Sequence, residues 1–209
     1  MMIMPANNRK GIVHYLAGRH PGSIGELISP KGWHNPLYYL PYAIDNGAFI
    51  SWEPKLFMSI LEKISFCSHK PLWILVPDVV GDAEETFKRW GEWYPIVKEY
   101  GMVAFAAQDG MGKFDVPTTA DCVFVGGTTE WKLTHAHLFK GAAPILHIGR
   151  VNTLGRLRWA KSIGADSVDG TGFFRGDKTQ LRAMIDFIEG SDQYAFESMG
   201  IPGHRNRCG

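Results

Sequence analysis

Ala165-Asp-Ser-Val-Asp-Gly-Thr-Gly-Phe173 is the stretch on which the fold turns. A short run ends on the carboxylate of Asp169 and breaks at once into Gly170 and Gly172, so it reads as a buried strand with an acid at its C-terminal tip. Three other runs close in the same way: Tyr42-Ala-Ile-Asp45, Leu72-Trp-Ile-Leu-Val-Pro-Asp78 and Val103-Ala-Phe-Ala-Ala-Gln108. In a barrel of alternating strands and helices, such tips are where reacting groups are held. The chain reads as a scaffold that brings these four tips together.

The remaining segments fit that frame. Gly11 to Ala17 reads as the first strand, and residues 20–40, rich in Gly, Pro, His and aromatics, as a long loop over the mouth. Lys31, Trp33 and His34 in that loop could meet a ligand. Pro54 to Ser65 predicts a helix with Leu56, Ile60, Leu61 and Ile64 on one face. Asp82, with Glu85 three residues on, opens another helix, on which Phe87, Trp90, Tyr94 and Val97 form a packing stripe. Further strands are expected at 102–107, 122–125, 145–150 and 165–168, with helices over 131–140, over 153–162, and after Asp177. Gly126-Gly127 follows one strand as a turn where backbone can approach a ligand.

Strand, loop and helix at short intervals argue a parallel α/β fold. A small (β/α)8 TIM-type barrel is the expectation, as a single domain over 1–209 with a basic tail near its end. Seven strands are readable. The eighth is placed in Met1 to Met4, or near Tyr194 to Phe196, or is missing. A doubly wound open sheet is the alternative, but no GxGxxG or phosphate-loop motif supports it.

With 45% apolar and 21% charged residues and a net charge of +1, no global field marks a polyanionic partner, although a local basic patch can suffice. Cys67, Cys122 and Cys208 show no metal-ligand spacing, and no run approaches a membrane span, so a reduced, cytoplasmic setting is expected.

The order of the strand tips resembles the tRNA-guanine transglycosylase superfamily, barrel enzymes that exchange guanine in nucleic acid for a 7-deazaguanine. Asp45-Asn-Gly-Ala-Phe49 is similar to that family's Asp-Ser-Gly-Gly-Phe box, whose aspartate is a catalytic acid/base. Asp78 sits where a guanine-recognising aspartate is expected, Gln108 where a glutamine contacts the base, and Gly126-Gly127 where a backbone N–H meets the guanine carbonyl. His147-Ile-Gly149 and the run to Asp169 resemble the segment leading to the nucleophile. The family's Cys-x-Cys-x-x-Cys…His zinc motif is missing, and Gly-Thr-Gly-Phe follows Asp169 instead of the family's Pro-Thr-Arg-like continuation. The likeness is therefore to the compact phage and bacterial members that insert 7-deazaguanines into DNA.

The resemblance implies Asp169 as nucleophile and Asp45 as general acid/base, with Asp78, Gln108, Gly126, Gly127, His147 and Gly149 at the base. It implies DNA, single-stranded or with a flipped base, and a free 7-deazaguanine as partners, tRNA less so, and no cofactor or metal. Lys31, Arg150 and Arg175 are loop cations that could contact phosphate. The residues by themselves leave other readings open. Asp before Gly is ordinarily a turn former, and His147 reads as an inward, hydrogen-bonded strand residue. A barrel lyase or isomerase acting on a small phosphorylated substrate, or a non-catalytic base-binding barrel, would use the same tips differently.

Overall fold

The computed structural model describes residues 1–8 and 10–190. Its strands are β1 (Met2–Met4), β2 (Glu26–Ile28), β3 (Tyr42–Ile44), β4 (Ile74–Leu75), β5 (Val103–Ala107), β6 (Cys122–Val125), β7 (Ile145–Ile148) and β8 (Ser167–Asp169). Neighbours in chain order pair in parallel from β2 through β8, and β8 returns to β1 with Met4 beside Asp169. Parallel bridges Ile3↔Ile24 and Ala6↔Leu27 join β1 to β2 and bring the sheet round on itself. Asn7 reinforces that seam: its Oδ1 accepts from the Ser29 N–H at 2.8 Å and its Nδ2 donates to Ser29 Oγ at 2.6 Å. The fold is a small TIM-type α/β barrel.

Six helices cover the sheet among the described residues: α1 (Gly11–Arg19), α2 (Pro54–Ser65), α3 (Ala83–Val97), α4 (Thr129–His135), α5 (Leu154–Ser162) and α6 (Lys178–Glu189). The connections after β2 and β5 carry only single 3-10 turns. Caps set the helix starts: Asp82, Thr128, Thr153 and Asp177 each accept from a backbone N–H of the first turn. Only half of the expected capping box forms on α3, because the Glu85 side chain pairs with Lys88 Nζ at 2.6 Å. The helix expected over 131–140 is shorter, with α4 giving way to a 3-10 turn at Ala136–Phe139.

Two expectations are corrected. Gly11 to Ala17 is a helix, not the first strand: Val13 and Leu16, one helical turn apart, are buried, and a crossover of this kind must connect β1 to its parallel neighbour β2. The loop expected over 20–40 contains β2. That strand is three residues long and carries Glu26 on its outward face, so no apolar run announces it. The eighth strand lies in the initial methionines; the alternative near Tyr194 and the basic tail fall outside the described residues.

Side-chain alternation divides the core. Met4, Leu27, Ala43, Trp73, Leu75, Ala104, Ala106 and Cys122 fill the barrel, where several alanines make room for the fully buried Trp73. Phe124 and His147 complete this interior: the Trp73 ring lies 6.0 Å from Phe124 and 4.9 Å from His147, and Phe124 stacks on His147 at 4.9 Å. Outside the sheet, Trp90 of α3 packs on Phe105 at 5.2 Å and on Tyr94 at 4.9 Å, so the aromatic stripe of α3 is packing, as expected.

Candidate active site at the carboxyl end of the barrel

Asp45, Asp78, Gln108, Gly126, Gly127, Gly149, Arg150 and Asp169 all stand on the C-terminal ends of β3 to β8. A run of hydrogen bonds links these tips side by side. Asn46 Nδ2 donates to Asp78 Oδ1 at 2.7 Å, and Gln108 Nε2 donates to Asp78 Oδ2 at 2.6 Å. The Gly127 N–H donates to Gln108 Oε1 at 3.0 Å, and the Arg150 guanidinium donates to the Gly127 carbonyl. The Arg150 N–H then donates to Asp169 Oδ1 at 3.1 Å. Each contact spans two neighbouring strand tips, so the mouth holds together through polar groups facing one another around the rim.

The carboxylates differ in their surroundings. Asp78 is 5% exposed, and burial raises its pKa above the ordinary carboxylate range, against the Asn46 hydrogen bond and the nearby Arg89 guanidinium. Arg89, from α3, also donates to the Asp78 carbonyl at 2.6 Å. Asp45 keeps part of its residue surface open, but its carboxyl lies deep enough that burial pushes it up to about 7. Asp169 and Asp78 add to that rise, while the Gly47 N–H, which donates to Asp45 Oδ1 at 3.1 Å, opposes it.

Asp169 is 6% exposed and is held from two sides. His147 Nε2 lies 3.2 Å from Asp169 Oδ2, and His147 Nδ1 lies 2.8 Å from Ser167 Oγ. His147 thus sits below the mouth, inside the barrel, where it supports Asp169 from beneath. This matches its reading as an inward, hydrogen-bonded strand residue. The inward positions at the ends of β6 and β7 are Gly126 and Gly149, and the neighbouring groups lie close. A Cβ on Gly149 would come within 2.8 Å of the Phe124 ring and 3.4 Å of Asp169 Oδ2, and one on Gly126 within 3.0 Å of Gln108 Nε2. The mouth between Gln108 and Asp169 is therefore free of side chains from these two tips.

Several candidates sit differently from expectation. The Gly127 N–H, expected to meet a base, is taken by Gln108. Lys31 is on the surface and pairs with Glu53 at 2.9 Å. Arg175 is exposed and donates to Thr171 Oγ1 at 3.0 Å. Arg150 is the loop cation built into the mouth, with its guanidinium 4.8 Å from the Phe49 ring centroid. His34 turns inward to Glu26, Nε2 to Oε1 at 2.6 Å, and Trp33 packs against the core beside α2.

Two residues at the mouth were not singled out from sequence. Asn46 is adjacent to Asp45 in the quoted motif, and its amide turns to Asp78 across 32 positions of chain. Lys132 lies in a polar helical stretch with nothing to mark it, yet it is 4% exposed and donates from Nζ to the Gly149 carbonyl. Burial and the neighbouring Arg150 push its amine down to about 8. Among the described residues no cluster of His, Cys, Asp and Glu could hold a metal ion, and no helix is long and apolar enough to cross a membrane. No family model matches this sequence, and no curated protein matches it.

Proposed function

We propose that this barrel is a transglycosylase that exchanges guanine in DNA for a free 7-deazaguanine base. The observation that carries the reading is the gathering of Asp45, Asp78 and Asp169 on one mouth in unlike environments: one near neutrality, one buried between two amides, one fixed by a backbone N–H and an imidazole. Exchange without hydrolysis needs these three roles. Asp169 attacks C1′ as the C1′–N9 bond breaks, leaving a covalent glycosyl ester. The proton on Asp45 goes to the departing guanine. Asp45 then takes the N9 proton of the incoming base, whose nitrogen displaces Asp169 from C1′. An acid that titrates at about 7 can serve both directions near neutral pH. Asp78 accepts from N1–H and N2–H2 of a guanine edge, and adenine presents no such pair. The target base must leave the stack to enter the barrel mouth.

The test is a base-exchange assay with radiolabelled guanine in duplex DNA, single-stranded DNA or tRNA and a panel of free 7-deazaguanines. The expected result is loss of label from DNA that requires the added base and disappears in Asp169→Ala. Exchange confined to tRNA would keep the chemistry and overturn the substrate. Binding of free base with no exchange in any polymer would favour a binding barrel, and neither exchange nor binding would sink the reading.

A further inference from the structure

The Gly149 carbonyl and the Arg150 N–H belong to one peptide unit, and both ends are engaged. The Lys132 amine donates to the carbonyl, and the N–H donates to Asp169 Oδ1 at 3.1 Å. An ammonium on the oxygen of an amide draws electron density from its nitrogen and strengthens the N–H as a donor, the cooperative effect of hydrogen bonds in series. The unit sits at a strained place. Arg150 has φ of 60°, the left-handed region that residues other than glycine seldom adopt. That backbone is held by its neighbours: the N–H by Asp169, the guanidinium by the Gly127 carbonyl and the preceding carbonyl by Lys132.

We infer that Lys132 is a positioning residue that acts on Asp169 through the Gly149–Arg150 peptide, polarising the N–H that orients and stabilises the carboxylate. The inference takes its chemical meaning from the transglycosylase reading, in which Asp169 is the nucleophile, but the coupling itself is a property of the folded chain. Four charged groups bear on the Lys132 amine. Arg150 at the end of β7 and Arg156 on α5 push its pKa down, and Asp169 at the end of β8 and Asp109 after β5 pull it up. With burial the largest influence, the amine is pushed down to about 8, so the coupling is strongest below that pH and weakens above it as the amine loses its charge.

The amide resonance of Arg150 reads the coupling without any substrate. In 15N-labelled full-length protein titrated from pH 6.5 to 9.5, the Arg150 amide proton should lie downfield at the low end. It should then move upfield with a midpoint of about 8 as Lys132 loses its proton. In Lys132→Met the resonance should sit upfield throughout. In Lys132→Arg, which keeps charge and donors, it should stay downfield with no step. Lys132→Gln, a neutral donor, replaces Met if that variant does not fold, and should also lack the step. A wild-type resonance that is flat across this range, or a Met or Gln variant that retains the step, overturns the inference. The exchange assay adds a second arm: Lys132→Met should slow exchange about tenfold, and the wild-type rate should fall above pH 8 more steeply than that of Lys132→Arg. If the resonance behaves as expected while no protein exchanges base, the coupling stands and the transglycosylase reading falls. If exchange occurs and its pH profile is identical in wild type and Lys132→Met, Lys132 is only structural and the inference falls.

Discussion

Gln108 Nε2 donates to Asp78 Oδ2 at 2.6 Å, and the same amide accepts two backbone N–H groups on Oε1, from Gly81 at 2.9 Å and Gly127 at 3.0 Å. The amide oxygen is therefore saturated, and what Gln108 can still offer a ligand is its second Nε2–H, a donor suited to guanine O6. Asp78 carries one side-chain donor on each oxygen, and each oxygen keeps a lone pair for the guanine edge. Asn46 and Gln108 thus fix the plane of the Asp78 carboxylate, which under the proposed function is the group that meets the base.

Asp78→Asn replaces one carboxylate oxygen by an NH2 that faces an amide donor and leaves a single acceptor where N1–H and N2–H2 together need two. Binding of guanine or its 7-deaza analogue should weaken by roughly 10–100-fold, about 1–3 kcal/mol. The preference for guanine over hypoxanthine, which lacks the 2-amino group, should disappear. Calorimetric titration with the two free bases checks both; an unchanged preference would remove Asp78 from the recognition role.

Asp45 makes a pH-dependent contribution with a definite sign. Its folded pKa is raised to about 7 from an ordinary 3.8, so the native state holds a proton that the unfolded chain releases first. That contribution is fully present below about pH 4 and is lost as pH rises toward 7. Asp45→Asn keeps an oxygen for the Gly47 N–H and removes the titration. The variant should gain on wild type by on the order of 1 kcal/mol or more at pH 8, with the advantage shrinking toward pH 4, as read by Tm across that range. The same substitution should slow exchange by roughly 10²–10⁴-fold. A difference in Tm independent of pH would show that the raised acid is not Asp45.

His147 joins the barrel interior to Asp169. His147→Phe preserves the stack on Phe124 while removing the partners of Ser167 Oγ and Asp169 Oδ2. Formation of the covalent intermediate should slow by about tenfold or more, the effect of losing roughly 1.4 kcal/mol of orientation. KM for the free base should change little, since no base contact is removed. Rapid-quench trapping on DNA separates the two; a change confined to KM would move His147 into the base-binding set.

Trp73 is the floor beneath these groups. Trp73→Ala should cost roughly 3–5 kcal/mol of stability by denaturant titration, because it empties a filled barrel interior. Its rings also touch Phe124 and His147, so activity should fall further than in a variant of equal instability made between α2 and the sheet, such as Phe57→Ala.

The amino-acid order alone determined the features that depend on near neighbours. Acids and amides at the ends of apolar runs gave Asp45, Asp78, Gln108 and Asp169 their places at strand tips, and side-chain caps at Asp82, Thr153 and Asp177 marked helix starts. The bounds expected for α2 were met, although Phe57 and not Leu56 joins Ile60, Leu61 and Ile64 on its buried face. Where a run was short, periodicity failed: residues 11–17 are too short and too evenly apolar to separate a helix from a strand, and β2 carries a charged residue, Glu26, that is buried beside His34. The tertiary structure decided every contact across strands. Asn46 meets Asp78, Gly127 turns its N–H to Gln108, Arg150 reaches Gly127, and Lys132 is buried under Gly149, at separations of 32, 19, 23 and 17 positions. Such pairs arise from the closure of the sheet, which brings distant strand tips side by side. No local pattern of residues encodes them.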